Sequence, residues 1–153
     1  MTSPSPFGET YEYELDDAAE RRRVQEFADR FAGSETQIVV VQGIGFVGAA
    51  MLAALAEART ATGHPAFAII GVDLSDEENY WKIARVESGL APVASSDARI
   101  AEAYSAAKTR GNLIATYSGH AYACADIVVV DVQLDIAPSP CEGGGREYEF
   151  SYD

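Results

Sequence analysis

Residues 37–52 read Gln-Ile-Val-Val-Val-Gln-Gly-Ile-Gly-Phe-Val-Gly-Ala-Ala-Met-Leu, and this stretch decides the fold. Its first part is β-branched and apolar, which is typical of a strand buried on both faces of a parallel sheet. The pattern Gly43-x-Gly45-x-x-Gly48 follows, and the alanine-rich sequence beyond it favours a helix. A strand, a glycine turn and a helix in this order form the context that a dinucleotide-binding fingerprint requires.

Each glycine of this turn has a physical role in such a site. Gly43 permits the tight turn, Gly45 lets a pyrophosphate approach the backbone, and Gly48 lets the helix pack close to the strand. The backbone N–H groups at the start of the helix then face the phosphates, and the helix dipole favours their negative charge. The alternative is a glycine-rich turn from strand to helix that has no ligand.

Composition limits the class of protein. The chain has 153 residues, of which 48% are hydrophobic, and this is enough for one well-buried domain. Its net charge of -13 argues against nucleic acid or an anionic membrane surface as a partner. No apolar run reaches the length of about 18 residues that a membrane-spanning helix needs. Cys124 and Cys141 lack the spacing of a metal site or a disulfide framework, which indicates a cytoplasmic protein.

A second buried strand is predicted over residues 66–72, and Asp73 follows it directly. In dinucleotide-binding folds, an acidic residue at this strand end accepts hydrogen bonds from the adenosine ribose. Its carboxylate would repel the additional phosphate of NADP, so the sequence favours NAD. Asp73 lies 30 positions after Gly43, whereas the usual spacing is about 20. The alternative is that Asp73 only caps the helix that follows.

Helix caps and apolar runs predict the other elements. A Ser75-x-x-Glu78 capping box starts a helix that ends near Val86, and Gly111 closes another helix. Right-handed crossovers then give an α/β fold with a Rossmann-type doubly wound parallel sheet, in a single three-layer domain. The remaining predicted elements are helices from Asp16 or Asp17 to about Phe31, from Ser96 or Asp97 to Arg110 and over 119–125, and strands over 112–117 and 126–132.

The two ends of the chain differ from its centre. Residues 1–9 contain Ser-Pro-Ser-Pro and are predicted to be mobile, and the run Arg21 to Arg23 is predicted to be a solvated face. A proline- and glycine-rich, linker-like run begins after Ile136. We therefore expect an N-terminal extension with a helix over 1–34, a Rossmann NAD-binding domain over 35–136, and a linker-like tail or the start of a further region over 137–153.

The ordered set of motifs resembles the N-terminal NAD-binding domain of the nucleotide-sugar dehydrogenases, which oxidise UDP-glucose, UDP-N-acetylmannosamine or GDP-mannose. The likeness covers about residues 37–136 and rests on the glycine motif, Gly71-Val72-Asp73, the stretch 87–93, Ala115-Thr116 and the stretch 125–130. It implies oxidation of a sugar C6 hydroxyl to a carboxylate by two hydride transfers to NAD, with a cysteine-bound intermediate.

The resemblance also implies which residues bind the cofactor. Asp73 would bind the adenosine ribose, and Lys82 would lie near it, unless Lys82 is an ordinary solvated helix lysine. Thr116 and the end of the fourth strand would flank the cofactor. By the resemblance, the residues that would bind the pyrophosphate are Gly43, Ile44, Gly45, Phe46, Val47 and Gly48. Those that would bind the rest of NAD are Asp73, Lys82, Thr116, Val130, Asp131 and Val132.

Two features depart from that family. After the fourth strand the family has Val-Pro-Thr-Pro or a near variant, whereas this chain reads Val132-Gln133-Leu134-Asp135, so the threonine near the nicotinamide is missing. The family also continues into a sugar-binding domain that carries the catalytic cysteine, and neither Cys124 nor Cys141 occupies its place. We therefore expect this chain alone to be catalytically inactive, with no acid–base role for His64 or His120.

Three interpretations of function follow. The first is the NAD-binding domain of a nucleotide-sugar 6-dehydrogenase, which acts on a UDP- or GDP-sugar together with a missing domain. The second is a stand-alone module that binds a nucleotide without catalysis, and the third is an interaction module that has lost the ligand. An exposed sheet edge or the tail would suit self-association or docking to a complementary catalytic domain. Nucleic acid and membranes are not expected partners.

Overall fold

The computed structural model describes residues 1–132, 138–140 and 146–148. The helices are α1 Asp17–Asp29, α2 Phe46–Glu57, α3 Tyr80–Glu87, α4 Ala98–Arg110 and α5 Ala121–Cys124. The strands are β1 Thr2–Pro4, β2 Thr10–Glu12, β3 Gln37–Gln42, β4 Phe67–Val72, β5 Leu113–Thr116, β6 Ile127–Val130, β7 Pro138–Pro140 and β8 Arg146–Tyr148.

Four parallel strands form the central sheet in the order β5-β4-β3-β6. Within this sheet, the first strand in the sequence is β3, which lies in the interior. The next two strands, β4 and β5, follow on one side of β3, and β6 pairs with its other side. Helices α2, α3 and α4 pack on one face, and α1 and α5 pack on the other. The predicted α/β class, with its doubly wound parallel sheet and three layers, is confirmed.

Alternation along β3 explains why the sheet is covered on both faces. Val39 and Val41 point into a core that they share with Leu52 of α2. Val40 points into the opposite core, which it shares with Val24 of α1. Successive side chains of a strand point to opposite faces, so a run of four β-branched residues needs a helical layer on each side.

Local capping signals predicted the first residues of two helices correctly. The Asp16 carboxylate accepts a hydrogen bond from Ala19 N–H at 2.9 Å, so Asp16 is the N-cap of α1. Asp97 caps α4 in the same way through Arg99 N–H at 3.0 Å. Gly111 ends α4 with φ of 71°, the left-handed conformation that glycine adopts without strain.

The predicted capping box before α3 is wrong. Helix α3 begins at Tyr80, and its N-cap residue Asn79 makes no capping hydrogen bond through its side chain. The Asp76 carboxylate instead accepts from Glu78 N–H at 3.0 Å and from Asn79 Nδ2 at 2.7 Å. An aspartate that bonds the backbone two residues ahead forms a turn, which here delays the start of the helix.

Residues 1–9 were predicted to be mobile, and this is also wrong. Strands β1 and β2 pair antiparallel, with Ser3 opposite Tyr11. The hairpin packs on α3, so its order comes from contacts with residues more than 60 positions away.

The tail has few described residues. Strands β7 and β8 pair antiparallel. The prediction for Cys141 and the departure at residues 133–135 lie outside the described residues, as does the linker-like run apart from β7. No helix in the described part of the chain is long and apolar enough to cross a membrane.

Candidate functional site

A cleft of about 540 Å³ opens beyond the carboxyl ends of the central strands. Strand order reverses between β3 and β6 at this end of the sheet, which is where doubly wound folds bind their ligands. The cleft is lined by Gln42, Gly43, Gly45, Val72, Asp73, Leu74, Ser75, Asn79, Lys82, Tyr117, Gly119, Tyr122, Asp131 and Val132.

Two positions of the glycine turn exclude any side chain. Gly43 has φ of 93°, and a Cβ atom there would lie 1.9 Å from the backbone oxygen of Asp131. A Cβ atom at Gly48 would lie 1.9 Å from the backbone oxygen of Gly43. These glycines let β3, β6 and α2 approach one another closely, which is the packing role that the fingerprint predicts.

Gly45 differs from the other two glycines because it faces open space. A Cβ atom at this position would meet nothing within 4 Å, and the residue lines the cleft. Gly45 is also the N-cap of α2 and supplies no side-chain cap. The first backbone N–H groups of a helix have no partner within it, so the positive end of α2 borders the cleft. An anionic group would fit here without a steric barrier.

Asp73 joins the glycine turn to the end of β4. Its Oδ2 accepts hydrogen bonds from Ile44 N–H at 2.9 Å and from Lys82 Nζ at 3.2 Å, and its Oδ1 accepts from Leu74 N–H at 2.8 Å. The side chain is 9% exposed. Asp73 does not cap α3, which begins at Tyr80. A carboxylate has about four acceptor sites, so Oδ1 keeps capacity for a ligand hydroxyl.

Lys82 is not a freely solvated helix lysine. Its Nζ also donates to Asn79 Oδ1 at 2.6 Å, and its side chain is 19% exposed. Both partners of Lys82, Asp73 and Asn79, line the cleft with it. The ammonium group therefore places a positive charge beside the Asp73 carboxylate.

The predicted site residues divide into those at the cleft and those away from it. Gly43, Gly45, Asp73, Lys82, Asp131 and Val132 line the cleft, whereas Ile44, Phe46, Val47, Gly48, Thr116 and Val130 do not. Ile44 is fully buried and reaches the site through its backbone N–H alone. Phe46 is 73% exposed and leaves the cleft open.

Thr116 lies in a hydrogen-bond network beneath the cleft. It is fully buried, its hydroxyl donates to Glu20 Oε1 at 2.6 Å, and it accepts from Ser118 N–H at 2.9 Å. Its hydroxyl is therefore committed to the protein. Val130 is 60% exposed on the outer strand β6.

Sequence reasoning missed several residues that line the cleft. Tyr117 follows β5, and its hydroxyl accepts from Asp16 N–H at 3.0 Å. Burial raises the pKa of Tyr117 and of Tyr122. The position of Tyr117 at a strand end was the available signal. Ser75 and Asn79 gave no such signal, because the sequence assigned them to a helix start.

Comparisons with known proteins agree with this architecture. No family model matches the sequence, and no curated protein matches it. Among solved structures, a UDP-glucose dehydrogenase from the hyperthermophilic archaeon Pyrobaculum islandicum is similar, with a TM-score of 0.51 and 24% sequence identity. The match covers 66% of this chain and 21% of that chain.

At this identity the similarity carries the fold alone. The chain has a Rossmann-type α/β fold, a four-stranded parallel sheet with flanking helices, that is consistent with the fold of this dehydrogenase. It spans about a fifth of the length of the enzyme that it matches.

Proposed function

We propose that this chain is the NAD-binding domain of a nucleotide-sugar 6-dehydrogenase. The observation that supports this most is the cleft in which Gly45, at the uncapped start of α2, and Asp73, at the end of β4, border the same space. A dinucleotide needs a phosphate cradle and a ribose acceptor in the same cleft, at the ends of neighbouring strands. The similar UDP-glucose dehydrogenase and the sequence motifs support the family.

The residues present fit NAD. The pyrophosphate would lie against Gly45 and the first N–H groups of α2, and Asp73 Oδ1 would accept from the adenosine ribose. Asp131 and Val132 would border the other side of the cofactor. Bound NAD supplies a hydride acceptor, and the chain's own contribution is to bind and orient it.

The charges at the ribose end favour NAD over NADP. Asp73 lines the cleft, and Asp76, Glu77 and Glu78 follow it in the loop before α3. Four carboxylates within six residues would repel a ribose phosphate. Lys82 offers one opposing charge, but its Nζ is already bonded to Asp73 and Asn79.

Catalysis requires groups beyond this domain. We propose that residues 35–136 form the NAD-binding unit, that residues 1–34 extend it, and that a complementary domain holds the UDP- or GDP-sugar and the catalytic cysteine. The match to only 21% of the dehydrogenase chain supports this division. The exposed apolar strand β6 supports contact with a complementary domain or a second copy. The cysteine usage supports a cytoplasmic location.

The test is calorimetric titration of the protein with NAD and with NADP. We expect saturable NAD binding that is tighter than NADP binding. Asp73→Asn should weaken NAD binding by about tenfold, which is the cost of one charged hydrogen bond. It should also reduce the ratio of NAD affinity to NADP affinity. No saturable signal at millimolar NAD would overturn the proposal.

Asp126→Asn is the matched control for that substitution. The Asp126 carboxylate also bonds a backbone N–H, that of Ile38 at 2.7 Å, but it lies at the opposite end of the sheet. We expect this variant to lose a comparable part of its stability and to keep its NAD affinity. An equal loss of NAD affinity in both variants would show that Asp73 acts through stability alone.

A second candidate is a stand-alone module that binds a nucleotide without catalysis. The sequence Gln133-Leu134-Asp135 favours it, because the threonine that the family places near the nicotinamide is absent there. Both candidates predict nucleotide binding, and the first predicts that the nucleotide is NAD. Only the dehydrogenase domain should form an active enzyme when it is combined with a complementary sugar-binding domain.

A further inference from the structure

Helix α3 lacks a cap from its own N-cap residue, and a distant serine provides one. Ser3 of β1 is fully buried. Its hydroxyl accepts a hydrogen bond from Trp81 N–H at 2.9 Å and donates to the Glu77 backbone oxygen at 2.6 Å. One hydroxyl therefore joins the loop before α3 to the first turn of that helix, from a strand more than 70 positions earlier in the chain.

A tyrosine of the same N-terminal hairpin fixes the loop at a second point. The Tyr13 ring stacks on the Tyr80 ring with 3.9 Å between centroids and 8° between planes. The Tyr13 hydroxyl donates to the Ser75 backbone oxygen at 2.9 Å. Tyr13 is almost completely buried, so the hydrogen bond and the stacking are both shielded from water.

The turn of the hairpin is attached to α3 as well. The Arg85 guanidinium lies 4.0 Å from the centroid of the Phe7 ring and forms an ion pair with Glu9. Phe7 also packs edge-on against Trp81, with 6.0 Å between the ring centroids. These contacts place both strands and the turn of the hairpin on the same helix.

The segment that the hairpin holds is a wall of the cleft. Ser75 and Asn79 line the cleft and lie within the stretch that Ser3 and Tyr13 bond, and Lys82 lines the cleft directly after that stretch. Lys82 bonds Asp73, so a displacement of this wall would also disturb the proposed ribose acceptor.

We propose that the N-terminal hairpin, residues 1–13, positions this wall for binding of the adenosine half of a dinucleotide. Ser3 and Tyr13 are the positioning residues, and they act through Ser75, Asn79 and Lys82 without contacting the ligand. This inference rests on the proposed function of the cleft. It gives the N-terminal extension a role in nucleotide affinity.

The test is Ser3→Ala in the full chain, with Ser88→Ala as the matched control. Ser88 lies at the other end of α3, is exposed, and donates to the Ala84 backbone oxygen at 2.8 Å. The measurements are amide hydrogen exchange over residues 76–82, the fluorescence of Trp81, and titration with NAD and with ADP-ribose. Trp81 is the single tryptophan of the chain, so its emission reports on this wall directly.

For Ser3→Ala we expect about tenfold faster exchange at the Trp81 amide, because that N–H loses its buried acceptor. We also expect a red-shifted Trp81 emission, because loosening of the first turn of α3 exposes the indole to more water. The affinities for NAD and for ADP-ribose should fall by the same factor, about fivefold, because both ligands carry the adenosine half. Ser88→Ala should leave exchange in 76–82, emission and both affinities at wild-type values.

Tyr13→Phe keeps the test decisive if Ser3→Ala does not fold. It retains the stacking on Tyr80 and removes only the hydrogen bond to Ser75, so we expect a smaller change of the same kind. Unchanged exchange over 76–82, or faster exchange with unchanged affinity for ADP-ribose, would overturn the inference. A wild-type protein that binds neither nucleotide would overturn the proposed function instead, and the exchange data would then show separately whether the hairpin holds the wall.

Discussion

At one edge of the central sheet, charged side chains bond the outward backbone groups of β5, whereas the opposite edge strand, β6, exposes apolar side chains to solvent. The Ala115 backbone N–H donates to Glu87 Oε1 at 2.7 Å, and the Ala115 backbone oxygen accepts from Arg23 Nη2 at 2.6 Å. Arg23 also pairs with Glu20 at 2.6 Å and with Glu87 at 3.0 Å. Helices α1 and α3 thus close the β5 edge with an ion-pair network.

The β6 edge has no comparable cover among the described residues. Ile127, Val128 and Val130 are all at least 40% exposed, and β6 is the last strand of the sheet on this side. An uncovered edge strand presents unpaired backbone groups, and proteins usually protect such strands with charges or short covers. Among the described residues, the β5 edge is therefore covered by charged side chains and the β6 edge is uncovered.

The largest expected effect is at the closed edge. Arg23→Met should reduce the free energy of unfolding by about 1–3 kcal/mol, because Glu20, Glu87 and the Ala115 oxygen all lose a hydrogen-bonded partner. Arg22→Met is the control, since Arg22 is exposed on the same helix and should change stability by less than about 0.5 kcal/mol. Urea denaturation measures the free energy of unfolding of both variants. Equal losses in the two would show that the ion-pair network does not stabilise the β5 edge.

The pH dependence of stability tests the contribution of one member of this network, the Glu20 carboxylate, and the expected effect is smaller. Burial alone would raise the pKa of Glu20, but the hydrogen bonds from Arg23 and Thr116 outweigh it and lower the pKa below the ordinary value of 4.5. The stability from this carboxylate is therefore present above about pH 4.5 and is lost as the pH falls through the lowered pKa.

Glu20→Gln should consequently be less stable than the wild type at pH 7, and the difference should shrink as the pH falls from about 5 through the lowered pKa. Thermal unfolding across this range measures it. A difference that stays constant over the range would mean that ionisation of Glu20 does not contribute.

The smallest effect is expected at the open edge. Val130→Lys should change the free energy of unfolding of the isolated protein by less than about 0.5 kcal/mol, because the Val130 side chain is 60% exposed. Urea denaturation at low protein concentration measures this value. A loss comparable to that of Arg23→Met would show that β6 is covered in the folded protein and that the two edges do not differ.

These edges also show which parts of the molecule the sequence could predict. The four central strands and the glycine turn follow from runs of adjacent residues, because β-branched stretches and glycine spacing are local signals. The caps at Asp16 and Asp97 are local in the same sense. The fold class therefore follows from the sequence alone.

The contacts that the sequence did not reveal join residues far apart in the chain. Arg23 was predicted to be solvated, yet it bonds Ala115, which is 92 positions later. The cap of α3 comes from Ser3, and the nearer capping box at Ser75 does not form. No periodicity within a helix or strand encodes such pairings, so they appear only when the layers are assembled.

Some residues of the candidate site could be predicted from the sequence and others could not. Gly45 and Asp73 line the cleft, since Gly45 lies in the turn that follows β3 and Asp73 directly follows β4, at the same end of the sheet. Thr116 is the last residue of β5, at the same end of the sheet, but its side chain bonds Glu20 within the protein. Position at a strand end selects candidate residues, and packing decides which of their side chains face the cleft.

The central claim is that the space beside Gly45 receives the pyrophosphate of NAD, and Gly45→Ala tests it most directly. The backbone at Gly45 has φ of -78°, which alanine adopts, and a Cβ atom there meets no protein atom within 4 Å. Titration of this variant with NAD should show at least about a tenfold loss of affinity, because the added methyl group occupies the place of the phosphate. The melting temperature should fall by only about 2–4 °C, because alanine is a poorer N-cap residue than glycine. Wild-type NAD affinity in Gly45→Ala would contradict the account.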